Sequence, residues 1–457
     1  MRPQDLVEHA LNASTADGTI VILDEHTETN LRWAGNSLTT NGQMHSRSVT
    51  VISTYDGARG TSAGVVTRSI TDSPAELTAL VRDSEAAGRT GEPADDAAPL
   101  VENYAHDDDW DAPPAKTAVE VFADFAPKLG AAFGTWRRDG RDLYGFAEHQ
   151  LTCTFLGTST GLRRRFDQPS GRVEINGKSA DHTRSAYVNQ HTVDFADVDA
   201  AALTDHLDRR LDWAANHIDL PAGRYETLLP PSAVADLLIY AYWSAAARDA
   251  EEGRSVFSTR GIGQRLSPLP LRLYSDPAYP GLQCAPFQIA TASSGGTASV
   301  FDNGLPTPAT DWIADGTLVD LIRTRAWSAG TGATPRPAIG NLILDGGGRQ
   351  GLDELIAGTD RGLLLTCLWY IREVDPQTLL LTGLTRDGVY LVENGRIAGA
   401  VNNFRFNESP IDLLGRASEA GRTERTLGRE WSDYFTRTAM PALRVPDFNM
   451  STVSAAN

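Results

Sequence analysis

The sequence predicts an α+β protein of more than one domain, and three observations carry that expectation. Its 457 residues exceed what one ordinary hydrophobic core organises. Helical patterns with recognisable caps alternate with runs rich in Val, Ile, Thr and aromatic residues, divided by Gly, Pro, Asn and Asp clusters. The stretch 92–115, EPADDAAPLVENYAHDDDWDAPPA, is acidic and rich in Pro and Ala, the composition of a domain linker. The expected units are an α+β, sandwich-like domain over 1–91, the acidic linker 92–115, a central β-rich α+β domain over 116–219, and a β-rich domain over 220–457.

In chain order, residues 3–13 read as a short helix, and TIVILDE, ETNLRWAG, SRSVTVISTYDG and GVVTRSI read as strands. A helix opens at Ser73-Pro74, with Ser as N-cap and Pro as first helical residue, and continues through AELTALVRDSEAAG. TAVEVFADFAPKLGAAF suggests another helix, which Pro127 is expected to break or kink. Residues 141–195 read as a β-meander turning near GTSTG, QPSGR and NGK, and a helix at about 198–216 closes that unit. GRYETLLP is a strand, a helix follows from Ser232 through AVADLLIYAYWSAAARDAEE, and the remainder is mostly β. Within it, TGLTRDGVYLVENGRIAGAVNNFRF (382–406) predicts an antiparallel ribbon, because Asp387-Gly388 and Asn394-Gly395 suit the positive φ of two-residue hairpin turns.

Composition narrows the function. A net charge of −18 argues against a nucleic-acid backbone or an anionic membrane as main partner. No apolar run is long enough to cross a bilayer as a helix, and MRPQDLVEHALNAS has no apolar signal core. Three widely spaced cysteines, Cys153, Cys284 and Cys367, make no disulfide framework and point to a reducing cytoplasm.

Several motifs attract attention without completing a site. GTSAG (60–64) and GTSTG (157–161) match a serine-hydrolase elbow, but β-type runs follow both, so Ser62 and Ser159 are expected in hairpin turns. LILDGGGRQGLDEL places Gly346, Gly348 and Gly351 in a dinucleotide-type G-x-G-x-x-G, with no second βαβ unit and no Lys for a phosphate. His149 and Cys153 lie four apart in a strand, about 13 Å, too far for one ion. His182 and His191 could face each other across a hairpin, yet no further donor supports a metal site. HDDDWD (106–111) lacks the Gly and distal Glu of a calcium loop and reads as a solvated linker.

From about Gly340 onward the chain resembles a known family. RGLLLTCLWYIREVDPQTLLLTGLTRDGVYLVENGRIAGAVNNFRFNESPIDLL (361–414) is similar to the C-terminal domain of the TldD/PmbA (TldD–TldE, "modulator of DNA gyrase") metalloproteases, supported by GRSVFSTRGIGQRL (253–266) and AMPALRVPDFNMS (439–451). The resemblance implies a mainly antiparallel, barrel-like C-terminal domain. It also implies, in the metal-bearing subunit, an HExxxH helix with a later Cys as third ligand. Two His on one helical face would hold the ion, and the Glu between them would activate its water. The corresponding helix here, ADLLIYAYWSAAARDAEEGRS (235–255), has no His; after Asp236 its next acid is Asp249. No Cys follows Cys367 and no His follows His217.

The chain therefore resembles the TldE/PmbA-type subunit. The resemblance implies no catalytic or metal-ligating residue and no cofactor on this chain. It further implies a divalent metal, zinc by expectation, on a homologous TldD-like partner carrying HExxxH, and an unfolded or flexible peptide as substrate. A strand edge can hold such a peptide through its main chain. Arg386, Asn402, Asn403 and Arg405 are the candidate peptide or interface contacts, set against plain roles in turns and buried backbone pairing. Two alternatives stay open: a self-sufficient homodimeric peptidase using His149, Cys153, His182 and His191, and a nucleotide-binding protein using Gly346, Gly348 and Gly351.

Overall fold

Strand alternation assigns the two faces of the first sheet. In the computed structural model, which describes residues 1–70, 73–102 and 106–455, β1 (Gly18–Ala34), β2 (Ser37–Gly57), β3 (Gly60–Ser69), β4 (Asp142–Thr158), β5 (Arg163–Lys178) and β6 (Ser185–Thr192) form one antiparallel sheet in the order β3-β2-β1-β4-β5-β6. Odd-numbered Val21, Leu23, Val49, Val51 and Phe155 meet Leu6, Val7 and Ala10 of α1 (Pro3–Ala13) and Leu77, Leu80 and Val81 of α2 (Pro74–Thr90). Further along the same face, Trp33, Leu143, Val173 and Ile175 pack on α3 (Phe125–Arg138) and α4 (Ala200–Trp213). Even-numbered Ile20, Ile22, Ile52 and Leu156 turn the other way, onto Phe287, Val300 and Phe301 of the C-terminal region.

This sheet crosses the expected boundary between 1–91 and 116–219, because β1 pairs with β4 from Ile20↔Thr158 to Trp33↔Gly145. The acidic stretch between them, of which 103–105 lie outside the described residues, is fastened to the sheet while His106, Asp108, Asp109 and Asp111 stay exposed. Trp110 is buried edge-on against Phe155, with centroids 5.6 Å apart. Gln4 donates to the carbonyls of Trp110 and Ala112, and Arg165 to those of Asp109, Ala112 and Pro113. Composition signals a linker here; one buried indole and a row of satisfied carbonyls decide otherwise.

Local expectations fare according to their physics. Ser73 caps α2 by accepting from Glu76 N. Pro127 does not break a helix: a 3-10 turn (Val119–Phe122) comes first, and α3 starts so that Pro127 falls in its first turn, where no N–H is needed. QPSGR makes no turn; Pro169 lies inside β5 opposite Leu151, where β4 is its one neighbour, since pairing with β6 begins at Gly171.

The second sheet has fourteen strands, counted among the described residues. After β7 (His217–Ile218) and β8 (Gly223–Leu229), helices α5 (Pro231–Trp243) and α6 (Ala247–Glu251) replace the single expected helix, because Ala247 N bonds Ile322 O between them. There follow β9 (Arg272–Ser275), β10 (Thr310–Ala314), β11 (Thr317–Leu318), α7 (Arg325–Thr331), β12 (Leu342–Asp345), α8 (Leu352–Ala357) and β13 (Arg361–Leu365). The chain ends through β14 (Leu368–Asp375), β15 (Leu380–Thr385), β16 (Val389–Glu393), β17 (Arg396–Val401), β18 (Phe404–Glu408), α9 (Pro410–Arg416), β19 (Glu419–Thr426) and β20 (Thr438–Val453). The long β20 is the spine: it pairs with β12, β19, β8 and β18, with a register shift between Val445 and Phe448. Branching there gives an open sheet, and among the described residues no pairing closes the expected barrel.

The ribbon at 382–406 is half as expected. Asn394-Gly395, with φ of 50° and 76°, turns β16 into β17 as a hairpin. Asp387-Gly388 also has positive φ, yet β15 and β16 do not pair with each other. They run as one kinked arm against β14 and β13, and Thr366 N→Gly388 O and Arg386 N→Cys367 O tie the kink together. Positive φ marks a bend, and long-range partners decide whether the bend reverses the chain.

Candidate functional site

The kink at 386–388 borders a large concavity. A cleft of about 1020 Å³ lies between the β5–β6 hairpin of the first sheet and the kinked arm of the second. Asn176, Lys178 and Arg184 line one wall; Trp369, Arg386 and Asn402 line the other. Arg429 joins the two. Its guanidinium is sandwiched between the rings of Tyr187 (4.4 Å) and Trp369 (4.0 Å), and its Nη1 lies 3.4 Å from Glu174 Oε2, which also accepts from Tyr187 Oη at 2.8 Å. Burial works against the Arg429 charge, but Tyr187, Glu174, Cys367 and Asp236 outweigh it and hold the guanidinium above its ordinary pKa.

The loop carrying Arg429 is held from α5. Asp236 Oδ1 accepts from Glu430 N (2.9 Å), and Trp431 Nε1 donates to Asp236 O (2.8 Å). Gly428 is needed there, since a Cβ would sit 2.7 Å from Asp236 Oδ1. Burial raises the Asp236 carboxyl well above the usual range, against the opposing effect of the Glu430 and Arg429 backbone N–H groups. Around it α5 is apolar on every side: Ala233, Val234, Ala235, Leu237, Leu238 and Ile239 are all at most 1% exposed.

Three of the four candidate contacts, Arg386, Asn402 and Asn403, line the cleft. Arg405 lies on β18, where its Nη1 reaches Thr382 Oγ1 at 3.3 Å, and is not among the lining residues. Asn402 also has a structural task, since its Oδ1 accepts from Leu220 N at 2.7 Å. The ribbon offers little free strand edge beside them. Its outer strand β17 is met by β7 at Ala400 and Val401, and Asn216 bonds Ala398 O and Ala400 N. On β14, the N–H groups of Tyr370 and Ile371 are taken by the Glu430 carboxylate. Sequence reasoning missed Lys178, Arg184, Trp369 and Arg429; they come from segments far apart in the chain, with no local motif to join them.

The remaining candidates are engaged elsewhere. His149 spends both ring nitrogens on Thr117 Oγ1 and Val193 O. Cys153 is buried, with its thiol pushed up to about 12 by burial first and Asp167 second. His182 pairs with Asp142 in the β5–β6 turn, whereas His191 lies opposite Arg172, so the two do not face each other. Among the described residues no group of three or more His, Cys, Asp or Glu is placed to hold a metal ion. Ser62 donates to Gly88 O from within β3, and Ser159 accepts from Thr19 N. A Cβ on Gly348 would stand 2.0 Å from Ala420 O, so the 346–351 loop is pressed on β19, and the helix after it has six residues. Close packing accounts for that glycine without a phosphate.

Comparison with known proteins agrees with this architecture. Residues 222–452 match the model of the PmbA/TldA metallopeptidase C-terminal domain. No curated protein matches the chain. Among solved structures, TldE from Thermococcus kodakarensis superposes with a TM-score of 0.78 at 14% identity, covering 98% of this chain and 99% of that one. A protein from Bacteroides thetaiotaomicron named as a modulator of DNA gyrase gives 0.76 at 14% identity, over 99% and 98% of the two chains. One of the same description from Thermotoga maritima gives 0.73 at 16%, over 94% and 95%. At such identities the superpositions establish the fold, and the C-terminal match establishes the lineage: this chain belongs to the TldD/PmbA metallopeptidase family.

Proposed function

We infer that this chain is a TldE-type subunit of a metallopeptidase complex: it holds flexible peptide segments in the cleft, while a homologous TldD-like partner bearing HExxxH supplies the metal and the hydrolysis. The observation that carries this reading is the interior of α5. Where a metal-bearing helix would present imidazoles, this one presents packed Leu, Ile, Ala and Val, and its single buried acid is used to hold the Arg429 loop. The residues present do not fit a catalytic ion, so no hydrolytic step is assigned to them. The free, buried thiols of Cys153, Cys284 and Cys367 support a cytoplasmic setting, and no helix of the described residues is long and apolar enough to cross a membrane.

Native co-purification from the source cell tests the reading. It predicts a homologous chain carrying HExxxH at about one to one, with peptidase activity in the pair and not in this chain alone. Recovery of this chain as an active homodimer overturns it.

A further inference from the structure

The charge of the cleft is opposite to that of the chain. Overall, 59 Asp and Glu outnumber 41 Lys and Arg. In the cleft lining, Lys178, Arg184, Arg386 and Arg429 stand against one carboxylate, Asp387. Arg429 is matched by Glu174 beneath it, and Asp387 is shared between Arg386 Nε, at 3.5 Å, and the Ser185 hydroxyl. The two lining histidines add little, because His182 faces Asp142 and His217 faces Asp219. Lys178, against the Tyr144 ring, and Arg184, which donates to Leu211 O, have no carboxylate within ion-pair distance among the described residues. Counted over the lining itself, four cations against Asp387 make a positive surface on a chain of net charge −18, with Glu174, Asp142 and Asp219 reaching Arg429, His182 and His217 from outside the lining.

The hydrogen-bonding state has the same bias. Among the described residues, two buried side-chain atoms of the lining have no partner, Trp369 Nε1 and Asn402 Nδ2, and both are donors. The Asn402 orientation is fixed, because its Oδ1 already accepts from Leu220 N. A site with surplus positive charge and surplus donors is complementary to a ligand rich in acceptors and negative charge. The bias belongs to the cleft alone: a neighbouring cavity of about 300 Å³ shares Asn176 and Arg429, but there Arg172 is paired with Glu174 and Asp433.

We propose that this cleft selects acidic peptide segments, flexible chain whose Asp or Glu side chains, or terminal carboxylate, meet Lys178, Arg184 and Arg386 while main-chain carbonyls meet the Trp369 and Asn402 donors. This deepens the peptide-holding reading above and rests on it for the word peptide. An extended nucleic acid fits less well, because a long polyanion would also run over the acidic exterior.

The test uses the purified full-length chain and fluorescence anisotropy with flexible peptides of equal length: Asp/Glu-rich, Ser/Gly neutral and Lys-rich, each with a free or amidated C-terminus. The acidic peptide binds about tenfold or more tighter than the neutral one, and the preference shrinks as salt is raised. Lys178→Glu lowers acidic-peptide affinity about tenfold, and Arg59→Glu, on the remote β2–β3 turn, leaves it unchanged. Should Lys178→Glu unfold, the neutral pair Lys178→Gln and Arg386→Gln carries the test. Loss of the preference on amidation identifies the terminal carboxylate as the anchor; its persistence identifies the side chains. Equal binding of neutral or Lys-rich peptide, no binding at all, unchanged affinity in the variants, or preferential binding of a single-stranded oligonucleotide overturns the proposal. Binding by the isolated chain needs no partner, so the two readings fail separately. A partner recovered without acidic selectivity sinks this inference alone, and acidic selectivity without a partner sinks the subunit reading alone.

Discussion

Helix α5 and the Arg429 cleft belong to neighbouring layers of the same fold and answer opposite demands. The helix is closed: its body is apolar and buried, and its one carboxyl accepts backbone through Oδ1 while Oδ2 stays buried without a partner among the described residues. The cleft is unsaturated, with cations and donors that the protein itself does not match. The loop from Leu427 to Trp431 connects them, anchored at one end on Asp236 and presenting Arg429 at the other. A closely packed helix and a chemically demanding surface are thus joined by one structural contact.

That contrast can be broken at either end. Leu238→Ala, at 1% exposure, is expected to cost about 2–5 kcal/mol in denaturant unfolding, as a cavity in a closed core does. A cost under about 1 kcal/mol would mean that α5 is loosely packed and open to other roles. Arg429→Met should cost less, about 1–3 kcal/mol, because Glu174 keeps Tyr187 as a hydrogen-bond donor. The same change should weaken acidic-peptide binding less than Lys178→Glu does, because Glu174 already matches the Arg429 charge.

Two titrations sharpen the comparison, with opposite signs. The raised pKa of Asp236 means that its contribution to stability is full below the ordinary value of 3.8 and is lost as pH climbs toward the folded value. Asp236→Asn should therefore gain on the wild type in melting temperature as pH rises from about 4. His191 is pushed down to about 3 from 6.5 by burial, with Arg437 and Arg425 adding to it, and its ring nitrogens have no partner in the structure. Its contribution is present above 6.5 and lost as pH falls toward about 3, so His191→Leu should flatten the acid limb of the stability curve. The smallest effect is expected of Arg405→Ala, exposed and outside the cleft: within about 0.5 kcal/mol, with no change in peptide affinity.

How much could be read from sequence follows from the range of the physics. The Ser73 cap and the Asn394-Gly395 hairpin depend on adjacent residues and were legible. The apolar character of α5 was legible too, because a helix buried on all sides spells it out. The pairing of β1 with β4 was not, since it joins residues more than a hundred positions apart and a linker-like composition intervenes. Asp387-Gly388 shows the boundary between these cases: its dihedrals were predictable and its topology was not. At the cleft, Arg386, Asn402 and Asn403 came from the resemblance, whereas Lys178, Arg184 and Arg429 required the hairpin and the Asp236-anchored loop to be brought together.

The most direct measurement is native mass spectrometry of the co-purified complex, dissociated gently enough to keep metal on its own subunit. The account predicts one divalent metal, zinc by expectation, on the partner chain and the apo mass for this one. Stoichiometric metal on this chain would contradict the central claim that α5 serves packing rather than coordination.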